Sequence, residues 1–273
     1  MKRSIVILTI YLFINRCNAF DLTHSIGGKA TAMGRTSVCS QDLWALQNNP
    51  AGLAYLKGWH FGLYYENQWL LKETAFKSGG VAKSFDHIGS FGLLVTQFGG
   101  ERYSENQFGI VYARDFGPYL QMGLRFEYLL LHWGEGYSNQ GAPSFELGIQ
   151  SQVTDRLRLG ATLSNPIRMK LSTINEDPLP IDMCFGLAYQ FTNDFIAQCE
   201  LEKNSEREGF QIRSGFEYQV FKRFCLRAGA QYNPNLLSFG IGYEIQHFRV
   251  DVAAQLHQAL GASVQIGMEY RIP

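Results

Sequence analysis

The stretch that decides the fold reads Leu237-Ser238-Phe239-Gly240-Ile241-Gly242-Tyr243-Glu244-Ile245, and residues 248–257 and 262–272 repeat its pattern. In all three stretches every second residue is apolar, and the residues between them are mostly small or polar. Side chains that alternate in this way lie on opposite faces of a β-strand. The pattern therefore predicts three consecutive strands, each with one apolar and one polar face.

The same alternation recurs upstream, in residues 59–65, 120–128, 157–163, 183–189 and 210–220, and more weakly near 72–84 and 87–97. Counting all such runs predicts about 14 strands of roughly 9–12 residues, a length that spans a bilayer when the strand is tilted. An even number of strands also brings both ends of the chain to the same side of the membrane.

The predicted connections fall into two classes. Six are tight, and four of the others are longer, at 99–106, 134–143, 165–180 and 204–209. Short turns on one side and long loops on the other are typical of outer-membrane barrels, whereas a soluble β-sandwich has no reason to sort its loops. The sequence thus predicts an all-β fold, a transmembrane antiparallel β-barrel over residues 57–273, located in the cell outer membrane.

Composition agrees with this fold class. Lys and Arg total 24 and balance 24 Asp and Glu, so there is no basic surplus for binding nucleic acid. The mean hydropathy of −0.12 excludes a polytopic helical membrane protein. It suits a barrel, in which apolar and polar residues alternate.

The N-terminus predicts export. Lys2 and Arg3 precede an apolar stretch over 4–14, and Ala19 ends a small-residue cleavage site. This predicts a signal peptide over residues 1–19; a buried strand or an uncleaved anchor are the alternatives. Four cysteines remain after cleavage, with spacings unsuited to zinc, and whether they form disulfides stays open. They are Cys39, Cys184, Cys199 and Cys225.

Charged residues fall on the polar phase of the strands. On a lipid-facing surface, Arg or Lys would cost roughly 2–4 kcal/mol at the midplane, so these side chains are expected inside the barrel. There, opposite charges on neighbouring strands would pair, which favours a structural network over a proton relay or an ion path. The predicted network comprises Arg213, Glu217, Arg227, Glu244, Arg249, Asp251, Glu269 and Arg271.

Residues 20–56 do not alternate. Asp42 is placed to cap a short helix that ends before Pro50. A segment with its own turns, preceding the first strand of a wide barrel, can lie in the lumen as a plug, or hatch. The residues expected to set this hatch are Gly34, Asp42, Asn49, Pro50 and Gly52.

Several of these motifs resemble a known family. Residues 32–34 (Ala-Met-Gly), followed by Asp42 and by 49–53 (Asn-Pro-Ala-Gly-Leu), resemble the N-terminal hatch signature of FadL-like outer-membrane barrels. Three further motifs resemble the PorV/PorQ branch found in Bacteroidetes. They are Gly215-Phe216-Glu217-Tyr218 with Leu226-Arg227-Ala228-Gly229, Asp251 with His257 and Leu260-Gly261, and Leu159-Gly160-Ala161-Thr162-Leu163-Ser164-Asn165.

This resemblance implies a barrel with a hatch and two possible functions. PorV-like and PorQ-like proteins are accessory barrels of type 9 secretion, whereas FadL-like proteins pass hydrophobic solutes. The first function is preferred here: a non-catalytic accessory subunit of an outer-membrane secretion or barrel-assembly complex. Its expected partners are other outer-membrane proteins of that complex, membrane lipid and an exported cargo protein. The alternative is a FadL-like channel for hydrophobic small molecules.

No catalytic motif is present, so no enzymatic activity, cofactor or metal is expected. Asp251 and His257 are six residues apart on one strand, about 20 Å by strand rise, and cannot pair. The acidic residues of 200–208 would either bind Ca²⁺ or form a solvated rim, and the interspersed basic residues favour the rim. The pair Gly79-Gly80 would either kink its strand and open a lateral gap or form a bulge.

Overall fold

The computed structural model describes residues 24–134, 139–170 and 178–273. The predicted signal peptide, residues 1–19, lies outside the described residues. So do parts of the predicted loops 134–143 and 165–180.

Fourteen antiparallel strands form one closed barrel, in which each strand pairs with its sequence neighbours and the last pairs with the first. This confirms the predicted fold class and strand number. The strands are β1 (Trp59–Asn67), β2 (Ala75–Phe85), β3 (Gly89–Gly99), β4 (Tyr103–Asp115), β5 (Leu120–Trp133), β6 (Gln140–Gln152), β7 (Leu157–Ser164), β8 (Asp182–Thr192), β9 (Phe195–Asn204), β10 (Gln211–Phe221), β11 (Phe224–Tyr232), β12 (Leu236–Ile245), β13 (Phe248–His257) and β14 (Gly261–Ile272).

In the part of the chain that the structure describes, helical structure is confined to short elements. Residues 24–56 form two α-helices, α1 (Gly28–Ala32) and α2 (Ala45–Asn48), followed by a 3₁₀ helix at Pro50–Tyr55. Two further 3₁₀ turns, Gln68–Leu70 and Lys72–Thr74, connect β1 to β2. No helix among the described residues is long and apolar enough to cross a membrane.

The two ends of the barrel differ, as the sequence predicts. The connections β2–β3, β4–β5, β6–β7, β8–β9, β10–β11 and β12–β13 are short and lie at one end, which also carries the start of β1 and the end of β14. We call this the turn end. The opposite loop end carries the longest connections, residues 68–74 and 165–181, but also three short ones, at 100–102, 233–235 and 258–260, so the prediction of a long loop at 99–106 is wrong.

The outer surface of the barrel is apolar at most positions, with Lys77 and Lys83 of β2 as exceptions. Large apolar side chains on the outward phase of the strands are exposed, for example Leu63 (69%), Ile110 (62%) and Phe126 (59%). In a bilayer, lipid chains cover such a surface, and the strands leave no open edge to be satisfied.

The glycine pair in β2 neither kinks nor bulges the strand. Throughout β2 the pairing with β1 and β3 runs without a register shift. The predicted lateral gap at this position is therefore wrong. Gly80 instead leaves room inside the barrel, where a Cβ would lie 2.6 Å from Cδ1 of Leu46.

Candidate functional site

The lumen is filled by residues 24–56, which we call the luminal segment. Most of its side chains are buried, including Ile26, Met33, Leu43 and Leu53, none of which is exposed. The segment contacts opposite sides of the wall. Met33 packs on β10 and β11, whereas Pro50 packs on β5 and β6.

Inward-facing glycines form the seat of the luminal segment. A Cβ on Gly160 would lie 2.5 Å from the carbonyl oxygen of Val38, and a Cβ on Gly186 would lie 2.5 Å from Cγ1 of the same residue. Gly215 and Gly229 would likewise clash with Met33. The wall lacks side chains where the segment approaches its backbone most closely. Sequence reasoning missed this role, although the glycines recur on the polar phase of successive strands.

The predicted hatch residues lie at close contacts. Gly34 has φ +70, and a Cβ there would lie 2.7 Å from the carbonyl oxygen of Ser214. Asp42 accepts a hydrogen bond from the backbone N–H of Trp44 at 3.0 Å, just before α2. Gly52 packs against Ala45, because a Cβ on Gly52 would lie 2.8 Å from the Cβ of Ala45.

Asn49 and Pro50 join the segment to β6. Asn49 is fully buried, and its amide donates to the carbonyl oxygens of Val38 at 2.7 Å and Ile149 at 3.2 Å. Its side-chain oxygen accepts from the N–H of Ala51 at 3.1 Å, which caps the 3₁₀ helix that begins at Pro50. The Asn-Pro step thus ends α2 and fixes the turn against the wall.

One half of the lumen, β9 to β14, is charged. Arg227 pairs with Glu217 at 2.5 Å and Asp251 at 2.6 Å, and Arg249 pairs with Asp251 at 2.9 Å. Arg271 pairs with Glu244 at 3.0 Å and Glu269 at 3.1 Å, where Glu244 is a half-exposed residue of the turn-end rim.

Arg213 belongs to a different group, nearer the loop end. Its partners are Glu202 at 2.5 Å and Glu200 at 3.8 Å, which the predicted network did not include. The structure therefore divides the eight predicted network residues among separate ion-paired groups.

These charges also hold the luminal segment. Lys29 donates to Glu217 at 3.0 Å, and Arg35 pairs with Glu66 at 2.5 Å. Glu200 accepts the backbone N–H groups of Ser37 and Val38, the latter at 2.5 Å. Residues 29–38 are thereby clamped to the wall by charge-assisted hydrogen bonds, which are stronger than neutral ones.

The apolar cluster of the lumen lies against the other half of the wall, β1 to β6, which we call the apolar half although it also carries buried polar residues such as Glu66, Gln107 and Gln150. Side chains of the luminal segment (Leu43, Trp44, Leu46 and Leu53) pack there against inward-facing residues of the wall. The wall residues of this apolar cluster are Tyr64, Phe76, Ala82, Leu94, Val111, Ala113, Leu129 and Ala142. One cation enters this half, since Arg125 donates to the carbonyl oxygen of Leu46 at 3.0 Å, at the C-terminal end of α2. The lumen is thus divided lengthwise into an apolar and a charged half.

Two loops shape the loop end. Residues 68–74 fold inward, because the N–H of Trp69 donates to Oγ of Ser263 at 3.0 Å and its ring meets His257 edge-on at 5.2 Å. This leaves Leu70 and Leu71 exposed at the mouth, at 60% and 53%. Across the mouth, buried Leu179 joins the apolar cluster, with Met169 packed beside it.

At the turn end the lumen opens into a cavity of about 640 Å³ lined by polar and charged groups. Cys39 borders it, and burial raises the pKa of this thiol to about 12, so it stays protonated at neutral pH. All four cysteines of the described chain are free thiols.

His60 and His257 make structural contacts. His60 contacts Glu269 at 2.7 Å and the carbonyl oxygen of Lys57 at 3.1 Å. His257 accepts from the N–H groups of Ala259 and Leu260, each at 3.1 Å. Within the described ranges, no group of three or more His, Cys, Asp or Glu side chains is arranged to hold a metal ion.

No protein-family model and no curated protein matches the sequence. Solved structures do match. The Pseudomonas putida toluene transporter TodX aligns at a TM-score of 0.70 and 14% identity, covering 93% of this chain and 99% of that chain. The Ralstonia pickettii toluene transporter TbuX aligns at a TM-score of 0.66 and 16% identity, covering 93% of this chain and 100% of that chain. A Pseudomonas aeruginosa FadL homologue aligns at a TM-score of 0.61 and 12% identity, covering 89% of this chain and 96% of that chain. The chain has the fold of these FadL-type barrels.

The comparison corrects the preferred function. The prediction of an accessory subunit of a secretion or assembly complex is wrong, because these neighbours are described as transporters and a FadL homologue. The motifs behind it have a structural explanation. Gly215 and Gly229 make room for Met33, and Glu217 and Arg227 form an ion pair. These residues therefore contribute to packing between the barrel wall and the luminal segment.

Proposed function

We propose that this chain is an outer-membrane channel for small hydrophobic compounds. The observation that carries the proposal is the apolar half of the lumen, where Phe76, Leu94, Val111 and Leu129 point inward. A barrel interior that served only as a water-filled pore would be polar throughout. The toluene transporters TodX and TbuX share this fold, which supports the same class of solute.

In this proposal residues 1–19 are a cleaved signal peptide, residues 20–56 the hatch and residues 57–273 the barrel. The turn end faces the periplasm and the loop end faces outward, since short turns lie on the periplasmic side of outer-membrane barrels. Membrane lipid covers the exposed apolar belt.

The hatch moves little on its charged side. Displacing residues 29–38 would leave Glu66, Glu200 and Glu217 buried without their partners in the segment, and each unpaired buried charge is costly. On the apolar side, Leu46 and Leu53 meet the wall mainly by van der Waals contact. Solute therefore passes between the hatch and β2–β6, a path along which the ion pairs Lys29–Glu217 and Arg35–Glu66 need not break.

Uptake measurements test the proposal. A Gram-negative host lacking general porins would carry the protein, and entry of radiolabelled toluene would be timed. The protein should speed entry relative to an empty outer membrane. Leu94→Thr should slow entry, because it adds a polar group at a buried luminal position.

Leu93→Thr is the matched control, since the neighbouring Leu93 points outward and is 54% exposed. Entry at the rate of the empty membrane would refute the proposed function. Equal rates in the two variants would refute the assignment of the path to the apolar half.

A further inference from the structure

We infer that the channel accepts uncharged apolar compounds and rejects hydrophobic carboxylates at its loop end. This inference rests on the proposed function and names its substrate class. It comes from charged groups that border the apolar cluster on β5 to β10, which we call the acidic border. They are Glu127, Glu146, Asp182, Glu200 and Glu202, with Arg125 and Arg213 among them.

Carboxylates outnumber cations in the acidic border. Of its described luminal residues five are acidic and two are arginines, an excess of three, and the half-exposed Arg207 approaches Glu202 at 3.4 Å from the loop above. The turn-end group is balanced by contrast. There Lys29, Arg227, Arg249 and Arg271 face Glu217, Glu244, Asp251 and Glu269, four against four.

Neither arginine of the acidic border is available to a carboxylate solute. Arg125 is bound by Glu127 at 2.8 Å, by Glu146 at 2.9 Å and by the carbonyl oxygen of Leu46. Arg213 is held by Glu202, by Gln211 and by the carbonyl oxygen of Arg35. A carboxylate needs a cation or N–H donors to replace its water, and here it meets carboxylate oxygens.

The acidic border lies beside the loop-end edge of the apolar cluster. Glu146, Ser164 and Asp182 occupy successive strands at one register. The next residue, Asn165, donates to the carbonyl oxygen of Leu179 at 2.7 Å, and its side-chain oxygen accepts from Met169 at 2.9 Å. These contacts hold Leu179 on the apolar cluster next to the carboxylates. A compound entering along Leu179 and Leu129 passes within the field of the acidic border, which is little screened inside the barrel.

The test compares naphthalene with naphthoate, which share a ring system and differ by one carboxylate. Uptake of each would be timed in porin-deficient cells, with folded protein quantified in the outer membrane. The wild type should take up naphthalene and leave naphthoate near the level of an empty membrane. The isosteric double variant Glu146→Gln, Asp182→Asn should raise naphthoate uptake about tenfold, the factor that ~1.4 kcal/mol of relieved repulsion gives. Naphthalene uptake should stay unchanged.

The matched control is Glu206→Gln, Glu208→Gln, which removes two carboxylates from the β9–β10 loop outside the lumen and should leave both rates unchanged. Equal uptake of both compounds by the wild type would overturn the charge selection and leave the channel function standing. A double variant that still excludes naphthoate would likewise overturn the charge selection and leave the channel function standing. Failure of the wild type to take up naphthalene would refute the channel function itself.

Discussion

Asn49 donates from its side-chain amide to the backbone carbonyl of Ile149 in β6, a hydrogen bond of 3.2 Å that joins the luminal segment to the barrel wall. The same amide holds Val38 within the segment at 2.7 Å. One buried side chain thus fixes both the internal fold of the luminal segment and its position in the lumen.

Asn49→Ala should loosen the hatch and make the outer membrane leaky. The change removes one donor to the carbonyl groups of Val38 and Ile149 and takes the side-chain acceptor from the buried N–H of Ala51, and a buried unsatisfied group costs about 1–3 kcal/mol. Sensitivity of cells to small hydrophilic antibiotics should therefore rise. Asn193→Ala, at an exposed turn, is the control. Unchanged sensitivity in Asn49→Ala would contradict the plug assignment.

Gly229→Ala should have a similar effect for a steric reason. Its added methyl group would overlap backbone atoms of Met33 and Gly34, which cannot turn away as a flexible side chain can. Overpacking of this kind costs about 1–3 kcal/mol. Protection of the luminal segment from hydrogen exchange should fall. Gly79→Ala serves as the control, because its Cβ would have no neighbour closer than 3.6 Å; similar loss of protection in both variants would count against the glycine seat.

Arg227→Met should lower the thermal stability of the barrel. Glu217 and Asp251 would lose the cation that they share and keep one partner each, Lys29 and Arg249, so the loss should stay below the cost of about 3–5 kcal/mol for a fully broken buried pair. Heating followed by gel mobility would show the folded band disappearing at a lower temperature. A variant as stable as the wild type would show that the ion pairs do not hold the lumen together.

Leu70→Ser with Leu71→Ser should weaken capture of solute at the mouth. Trp69 and Leu70 both adopt left-handed backbone conformations with φ +55, which costs roughly 1–2 kcal/mol per residue and holds apolar side chains exposed at the loop end. Toluene uptake should fall at low concentration, and the rate at saturation should be unchanged. Ile167→Ser, an equally exposed residue (60%) of the β7–β8 loop, should behave as the wild type. A reduced saturating rate would place the effect on passage instead.

The alternation of apolar and polar residues predicted the barrel well. One face of each strand contacts lipid, so every second residue of the strand is apolar. The division of the lumen was harder to predict. Where the inner face is also apolar, as at Ala82, Leu94 and Val111, alternation weakens. In β2 the weak pattern has another cause, since Lys77, Gly79 and Lys83 stand on its outward phase.

Contacts between the hatch and the wall could not be predicted from period alone. Arg125 reaches the carbonyl of Leu46 across 79 positions, and Glu200 reaches the N–H of Val38 across 162. The pairing of neighbouring strands explains their register. It does not predict where the luminal segment, which is not part of the sheet, contacts the wall. For the same reason, short motifs such as Gly215–Tyr218 could be placed on strands without revealing that they serve the hatch.

Photolabelling tests the central claim most directly. A small apolar diazirine would be added to the protein in lipid nanodiscs, with and without excess toluene, and labelled peptides would be mapped by mass spectrometry. The account predicts toluene-sensitive labelling on the inner face of β2–β6, around Leu94, Val111 and Leu129, and on the hatch near Leu46 and Leu53. Labelling confined to the lipid-facing residues, or unaffected by toluene, would contradict a hydrophobic path through the lumen.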